Sequence, residues 1–432
     1  MSFDSLSLAL LCVATVGHFG LWISLYNRIN ATGLRRETLK RIEKGIVLTC
    51  GLIPLFLLGH ELRRHGWIGL RSGLLFSWDE LSTWTQVYLV FTSVFAGIVG
   101  PFWIWDRPRF RIDRQRFELL ETVNLNLLQR DRALASMYVD GQTFRRMAKL
   151  PGNQIVSLQQ NKKRLFVDDL PSDLVGLRIA HLSDIHLTGQ LSSRFYRLAI
   201  DWLAEQAPDL IVVSGDIVDY EKALRLIEPV FGGLEAPMGK YFILGNHDKR
   251  LSNPTVVCDI LTSIGWKDLG ARDAITSRGH STVLLKGNER PWFRRHESAL
   301  PHQWFASKSE LNPMAPSESP MAPSEWPNRS LFVADWNIGV AHSPDQFGWG
   351  VGTGCQLLLC GHTHGGQIRL PIVGPIIAPS FYGSRYASGV FANEKTVMHV
   401  STGISGIHPF RWGCMPEVSI LELASRRGYR PV

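Results

Sequence analysis

Cysteine is scarce in this sequence, and the six cysteines of its 432 residues form no CxxC pair. Cys12 and Cys50 fall within strongly apolar runs, and the other four are not spaced like zinc ligands or the pairs of a disulfide framework. Such cysteine usage indicates neither a disulfide framework nor a zinc site and fits a reducing compartment.

Charged residues are absent from three apolar runs near the N-terminus. The first, Leu6 to Tyr26, approaches the ~20 residues that cross a bilayer as a helix. A cleaved signal peptide is the alternative, but it needs basic residues before the run. Here Asp4 precedes the run, whereas Arg28 and Arg35 follow it. We therefore expect a retained transmembrane helix.

The other two runs extend this apolar region. Gly45 to Gly59 is short and contains Pro54, which fits either a membrane helix or a re-entrant segment. Thr83 to Trp105 is longer and ends in tryptophans, which are suited to a headgroup interface. We predict that residues 1–105 form a membrane region with two to three transmembrane helices.

Basic residues are distributed unevenly around these runs. Many lie between the first two runs and after the third, whereas only Arg63, Arg64 and Arg71 lie between the second and third. Because Lys and Arg favour cytoplasmic loops, the chain after Trp105 is predicted to be cytoplasmic.

The formal net charge of +8 raises the possibility of a nucleic-acid partner. However, the sequence has no basic stripe interleaved with aromatic residues, and much of the excess lies beside the apolar runs. Arginines in that position contact anionic lipid headgroups. We therefore predict membrane lipid, and not nucleic acid, as a partner.

The remaining chain divides into three parts. Residues 106–152 form a charged connector, in which FELLETVNLNLL has apolar positions at helical spacing and predicts a helix. A globular domain is predicted over 153–432. It is interrupted at 288–329 by a Pro- and Ser-rich segment that contains MAPSE twice and predicts a flexible surface insertion.

Five segments of the globular part share one pattern, an apolar run of strand length followed by a polar turn. They read LRIAHLSDIH, LIVVSGDIVD, YFILGNHD, IGVAHSP and LLLCGHTH. A helical pattern separates the first two, which indicates βαβ crossovers with the polar turns at one edge of a sheet. The side chains predicted to converge there are Asp184, His186, Asp216, Asn246, His342, His362 and His364, with His247 and Asp248 beside them.

Each of these turns alone is common, because Asp, Asn and Gly favour turns for local reasons. Together they make a mixed set of carboxylate, amide and imidazole ligands, which suits Mn, Fe, Zn or similar divalent ions better than a structural cysteine site. Seven ligands exceed one tetrahedral site, whereas two ions sharing a carboxylate would use them all. If GHTH is extended, its two imidazoles face the same way.

In this order, the motifs DIH, GDIVD, GNHD, AHSP and GHTHGGQ resemble the calcineurin-like metallophosphoesterases over Leu177 to His364. The later IRLP and GISGIHPFRWGCMPEVSILEL resemble a bacterial subgroup of membrane-associated phosphoesterases and UDP-diacylglucosamine hydrolases of lipid A synthesis. The resemblance implies an α/β fold, a calcineurin-like metallophosphoesterase β-sandwich flanked by helices, here preceded by N-terminal transmembrane helices.

The resemblance also implies roles for the site residues. Asp184, His186 and His364 would hold one divalent metal ion, and Asn246, His342 and His362 the other. Asp216 would bridge the two ions. His247 would face the substrate phosphate, oriented by Asp248.

These features predict a metal-dependent phosphoesterase that hydrolyses a phosphodiester, phosphomonoester or pyrophosphate bond. A membrane-associated substrate such as UDP-diacylglucosamine is favoured. From its apolar runs, the chain is predicted to be a multi-pass protein of the cell inner membrane. The alternatives are a hydrolase of soluble nucleotide or protein phosphates and a non-catalytic metal-binding scaffold. The scaffold is disfavoured because every role of a hydrolytic site is filled.

Overall fold

The computed structural model describes residues 5–72, 77–127, 136–293, 334–393, 395–406 and 408–426. They divide into two compact units. The first comprises Met1–Arg111 with Ile368–Ala387, and the second comprises Ile112–Gln367 with Ser388–Val432. Most of the insertion predicted at 288–329 lies outside the described residues.

The first unit contains the apolar runs as helices: α1 (Ser5–Asn30), α2 (Arg36–Ser72) and α3 (Thr83–Trp105), followed by the short α4 (Pro108–Arg111). The three long helices have the length and apolarity needed to cross a membrane. The second run is therefore part of a long helix, which continues through Pro54 and loses helical geometry at Gly66.

Close packing and one polar cluster join the three long helices. A Cβ at Gly17 would lie 1.8 Å from the carbonyl oxygen of Thr92, so only glycine allows α1 to approach α3 this closely. In the next residue, His18, Nδ1 lies 2.5 Å from the hydroxyl of Tyr88, and Nε2 lies 2.9 Å from the carbonyl oxygen of Cys50. A single histidine of α1 thus contacts both other helices.

The strands follow in chain order, and all except β11 and β12 belong to the second unit. They are β1 (Phe117–Asn126), β2 (Ser157–Val167), β3 (Arg178–Leu182), β4 (Leu210–Ser214), β5 (Lys240–Ile243), β6 (Lys267–Asp268), β7 (Ala274–Arg278), β8 (Ser281–Asn288), β9 (Trp336–Ala341), β10 (Leu357–Cys360), β11 (Arg369–Leu370), β12 (Gly374–Pro375), β13 (Gly389–Asn393), β14 (Thr396–Val400) and β15 (Glu417–Ser425). The helices of this unit are α5 (Gln142–Ala148), α6 (Ser193–Glu205), α7 (Ile227–Phe231), α8 (Thr255–Ser263) and α9 (Phe347–Gly352).

Two sheets form the predicted β-sandwich. One has the order β1-β2-β15-β3-β4-β5-β6, and the other β13-β14-β10-β9-β8-β7. Alternation along β4 shows how the layers pack. Leu210 and Val212 join a core with residues of the other sheet such as Ile338, whereas Ile211 and Val213 join a core that contains α6. Apolar side chains on both faces explain the continuous apolar runs of these strands.

The predicted βαβ crossovers are present, since β3, β4 and β5 pair in parallel and α6 separates the first two along the chain. The predicted helix within FELLETVNLNLL is wrong. Phe117–Asn126 is a strand that pairs antiparallel with β2, with its register shifting between Leu119 and Glu121. Cross-strand pairing therefore overrides the local apolar spacing.

Candidate metal centre

The five polar turns meet at one edge of the sandwich, where the parallel strands end. Asp184 and His186 follow β3, Asp216 follows β4, and Asn246 follows β5. His342 comes directly after β9, and the turn with His362 and His364 follows β10. Backbone hydrogen bonds connect neighbouring turns. For example, the amide of His186 donates to the carbonyl oxygen of Asp216 at 3.0 Å. The sheet edge brings together all seven residues predicted to bind metal.

Three groups of His and Asp side chains are spaced to hold a metal ion. One comprises His186, Asp219 and His247, and the other two consist only of predicted ligands. The first of these two groups comprises Asp184, His186, Asp216 and His364. In this group the Nε2 atoms of His186 and His364 lie 3.1 Å apart, and Nε2 of His364 lies 3.4 Å from Oδ1 of Asp184. Imidazole nitrogens and carboxylate oxygens thus face one another within a small buried volume.

The second group comprises Asp216, His342 and His362. Nε2 of His342 lies 3.2 Å from Oδ2 of Asp216 and 3.1 Å from Oδ1 of Asn246. The other ring nitrogen of His342 donates to the carbonyl oxygen of Ser214 at 2.7 Å, which directs Nε2 at the group. Asp216 belongs to both groups, and Asn246 extends the second.

The donor chemistry fits divalent metal ions. Oδ2 of Asp216 is buried and accepts no hydrogen bond from the described part of the chain, although the Nε2 atoms of His186 and His342 lie 3.6 and 3.2 Å away. A buried carboxylate oxygen that faces two imidazole nitrogens without a bond between them is suited to a cation.

Backbone strain is concentrated at the same residues. Five of the seven predicted ligands have φ between 48° and 70°, in the left-handed region: Asp184, His186, Asp216, His362 and His364. This conformation costs an L-residue roughly 1–2 kcal/mol and is maintained only where surrounding structure enforces it. Such strain is typical of functional sites.

Two glycines let the turns approach one another. A Cβ at Gly245 would lie 2.2 Å from Oδ1 of Asp216, and a Cβ at Gly361 would lie 2.3 Å from Oδ2 of Asp184. Both distances are well below van der Waals contact. The glycines of GNHD and GHTH are therefore required by close packing against predicted ligands.

The GHTH turn differs from its predicted conformation. We expected extended backbone, but β10 ends at Cys360, and His364 begins a short 3-10 turn. Left-handed backbone at both histidines sends them to different groups, His364 to the first and His362 to the second. Their assignment to separate groups arises from this turn and not from strand alternation.

The prediction that Asp248 orients His247 is wrong. The carboxylate of Asp248 accepts hydrogen bonds from the backbone amides of Ile217, Val218 and Gly245, at 2.8–3.2 Å, and so fixes two of the turns. Burial, together with the charge of Asp216, raises the pKa of Asp248 to about 7. Its role is to hold backbone, and the partner of His247 lies elsewhere.

Asp219 is that partner, and the sequence analysis missed it. Its Oδ1 accepts a hydrogen bond from Nδ1 of His247, and its Oδ2 lies 2.9 Å from Nδ1 of His186. Although burial disfavours the carboxylate, the two imidazoles hold the pKa of Asp219 well below its ordinary value. The signal was present in the second Asp of GDIVD. One carboxylate orients both a predicted metal ligand and the predicted phosphate-facing histidine.

His247 also contacts a cation. Its Nε2 lies 2.8 Å from Nη2 of Arg250, and its backbone amide donates to Oδ1 of Asp216 at 2.7 Å. Burial lowers the pKa of His247 to about 4, although Asp216 and Asp219 favour its charged form. The neutral imidazole therefore donates through Nδ1 and accepts from Arg250 through Nε2.

A sequence model of the calcineurin-like phosphoesterase family matches residues 177–366, which include all the turns described above. The chain contains a calcineurin-like phosphoesterase domain. Members of this metallophosphoesterase family use divalent metal ions, which agrees with the two groups of ligand atoms at the edge of the sandwich.

Relatives of the phosphoesterase domain include both named enzymes and proteins known only by family. The metallophosphoesterase YkuE of Bacillus subtilis is 28% identical over 59% of this chain and 82% of its own length. Phosphodiesterase YaeI of Escherichia coli is 26% identical over 57% of this chain and 82% of its own. UDP-2,3-diacylglucosamine pyrophosphatase LpxG of Chlamydia trachomatis is 22% identical over 58% of this chain and 84% of its own.

Two further residues contact the centre of the phosphoesterase domain from the end of β8. The ring of Trp292 lies 4.7 Å from that of His362 and 5.3 Å from that of His342. Glu289 accepts from the backbone amide of Leu244 at 2.6 Å and so anchors the start of the GNHD turn. The sequence analysis placed both residues in the flexible insertion predicted at 288–329, which is wrong for them, because both side chains are buried. Their proximity to the centre depends on the path of the chain after β8.

The buried carboxyl group of Glu289 is expected to make the free energy of unfolding depend on pH. Burial raises its pKa to about 8, above its ordinary value of 4.5. The folded state therefore binds this proton more tightly than the unfolded state, so the contribution of Glu289 to stability is fully present below pH 4.5 and is lost as pH rises toward 8. Glu289→Gln keeps an oxygen for Leu244 but removes the titration. We expect it to stabilise the protein by about 1–3 kcal/mol at pH 8 and little at pH 5.

Thermal unfolding of the full chain in detergent measures this effect. Glu205→Gln, at an exposed position of α6, is the matched control and should change the midpoint at neither pH. An equal gain from Glu289→Gln at pH 5 and pH 8 would show that the proton of Glu289 is not responsible.

Proposed function

We propose that this chain is a binuclear metal-dependent hydrolase that cleaves a phosphodiester or pyrophosphate bond in an amphiphilic substrate at the membrane. The observation that carries the proposal is the position of Asp216, which contributes to two separate groups of buried ligand atoms. A carboxylate shared by two groups is the arrangement that a binuclear centre requires.

The distances within each group support the ligand assignment. Asp184, His186 and His364 would hold one ion, Asn246, His342 and His362 the other, and Asp216 both. When bound, the ions supply Lewis acidity, lowering the pKa of water and polarising the phosphoryl oxygens. The protein supplies the fixed geometry. The strained turns, together with the hydrogen bonds that backbone amides donate to the carboxylate of Asp248, leave the ligand side chains little freedom.

His247 and Arg250 would contact the substrate phosphate. Without substrate, Nε2 of His247 accepts from Arg250. A phosphate dianion or diester at this place would attract the guanidinium and favour the charged imidazole, since a nearby opposite charge raises the pKa of histidine. Protonated Nε2 would then donate to a phosphoryl oxygen or to the leaving oxygen, while Asp219 holds Nδ1.

An amphiphilic substrate is supported by two observations. Three helices of the chain are long and apolar enough to cross a membrane, which would keep the domain near lipid. One relative is named a UDP-2,3-diacylglucosamine pyrophosphatase, and its substrate joins a nucleotide to an acylated sugar. We therefore propose UDP-diacylglucosamine as the substrate to test first, with the domain on the cytoplasmic face of a cell inner membrane, as the arginine distribution predicts.

The test uses the purified full chain in detergent. With added Mn²⁺ we expect hydrolysis of bis-p-nitrophenyl phosphate and UMP release from UDP-diacylglucosamine, with both activities abolished by EDTA and restored by Mn²⁺. Hydrolysis of soluble nucleotides or phosphoproteins that is indifferent to detergent and acyl chains would favour a soluble substrate. Metal binding without any turnover would support the scaffold.

A further inference from the structure

Residues 368–387, here called the interfacial segment, belong to the same compact unit as the apolar helices. Asn27, near the end of α1, donates to the carbonyl oxygen of Ile376 at 3.1 Å and accepts from the amide of Ala378 at 3.0 Å. Arg107, just after α3, donates to the hydroxyl of Ser384 at 2.8 Å. The interfacial segment is therefore fastened to the C-terminal ends of two candidate membrane helices.

Those attachments fix the depth of the interfacial segment relative to a bilayer that α1 and α3 cross. The ends of a membrane-spanning helix lie at the headgroup level, where Trp and Arg are common. Trp103 and Trp105 end α3, and the guanidinium of Arg107 lies 3.1 Å from the ring centroid of Trp103. A segment bound to Asn27 and Arg107 lies at this level.

The interfacial segment exposes apolar side chains there. Strands β11 and β12 form a short hairpin, at whose tip Ile372 is 84% exposed. The other exposed apolar side chains of the segment are Ile368, Leu370, Val373, Ile377, Phe381 and Tyr382. Exposing such a cluster to water costs roughly 25 cal/mol per Å² of apolar surface, so the cluster is suited to an apolar partner.

The tip is also strained. Ile372 has φ of 65°, and the amide of Val373 donates to the carbonyl oxygen of Pro371 at 2.6 Å, which closes a γ-turn. A β-branched residue is a poor choice for left-handed backbone. Asparagine would fit the turn better, so the turn itself does not account for isoleucine at this position.

Arginine also lies beside the apolar tip. The interfacial segment together with residues 106–111 contains five arginines and one acidic residue, Asp106. Arg109 donates to the carbonyl oxygen of Ile372 at 2.5 Å, which brings a guanidinium to the tip. Apolar side chains with arginines around them match acyl chains under anionic headgroups.

We infer that the interfacial segment inserts its hairpin tip into the headgroup region of an anionic lipid bilayer and forms a membrane-docking surface distinct from the three helices. In the sequence, the segment begins four residues after the predicted ligand His364. The substrate class that fits is an amphiphile whose acyl chains remain in the bilayer. The docking surface itself is independent of the proposed function, whereas its effect on turnover rests on it.

Depth-dependent quenching tests the docking surface directly. The full chain, with Cys12, Cys50 and Cys258 replaced by alanine, carries Ile372→Cys labelled with the fluorophore NBD in vesicles of phosphatidylglycerol and phosphatidylcholine. Doxyl-labelled lipids should quench this label at least about twofold more than a label at Glu235→Cys, an exposed position of the second unit. Iodide in water should show the reverse order.

Equal doxyl quenching at the two positions would overturn the inference. Protection of the label at position 372 from iodide without doxyl quenching would also overturn it and would indicate a second copy or another protein on the hairpin.

Turnover provides an independent measurement. Ile372→Asn relaxes the turn but removes the apolar side chain, whereas Ile372→Leu retains apolarity. For UDP-diacylglucosamine in the same vesicles we expect Ile372→Asn to lower kcat/KM about tenfold and Ile372→Leu to change it little. Neither should alter hydrolysis of soluble bis-p-nitrophenyl phosphate. Equal losses with both substrates would contradict docking as the cause.

The two hypotheses fail separately. If the unsubstituted protein hydrolyses neither substrate, the proposed function fails, and quenching at position 372 alone decides the docking surface.

Discussion

The Asp216→Asn protein is expected to hydrolyse bis-p-nitrophenyl phosphate with kcat at least about 10³-fold below that of the unsubstituted chain. Asp216 is the residue shared by both groups of ligand atoms, and Oδ2 lies between the imidazoles of His186 and His342. Asparagine has the same shape but carries no charge, so the loss of several kcal/mol of metal-dependent stabilisation would come without loss of packing.

Metal content distinguishes the cause of this loss. Elemental analysis of Asp216→Asn should show fewer bound Mn²⁺ ions, whereas Asp259→Asn, at an exposed position of α8, should retain both activity and metal. Oδ1 of Asp216 also accepts from the amide of His247, so circular dichroism and the unfolding midpoint must accompany the assay. Full activity in Asp216→Asn would refute the shared-carboxylate centre.

The second large effect concerns His247 and the carboxylate that holds it. His247→Gln should lower kcat by about 10²–10⁴-fold while leaving metal content unchanged, because we assign this side chain to the substrate phosphate and not to a metal ion. Asp219→Asn should cost about 10–100-fold, since Asp219 acts through its bonds to His247 and His186.

A double variant tests whether Asp219 acts through His247. In the absence of His247, the substitution of Asp219 should cost less than it does alone, because one of its two targets is missing. The exposed His280 provides the control, and His280→Gln should leave kcat unchanged. Multiplicative losses in the double variant would show that the two residues act independently.

The local features of the site were predictable from the sequence, whereas contacts between turns were not. Each ligand follows an apolar run, and parallel strands place such positions at one edge. The partner of His247 depends on how two turns pack, so Asp219 and Asp248 could not be distinguished by spacing. FELLETVNLNLL failed for a related reason, since its partner β2 lies about forty residues away in the pairing of Thr122 with Asn161.

The interfacial segment was equally hidden from sequence reasoning. IRLP was recognised only as a subgroup motif, and nothing local indicates that Asn27 binds the backbone near Ile376. Contacts between residues that lie hundreds of positions apart in the sequence are determined by tertiary packing, which the spacing of motifs does not reveal.

The left-handed backbone of five predicted ligand residues lowers the stability of the fold, whereas the proposed activity requires the ligand atoms that these residues carry. At each of these positions glycine would relieve the backbone and remove the ligand, so the sequence with the most relaxed fold is one that has lost its metal centre. A duplicated copy of this gene, released from catalytic selection, would gain stability from the substitutions that selection on the enzyme rejects. The five costly conformations are therefore explained by the predicted ligand atoms that they place, and not by the stability of the fold.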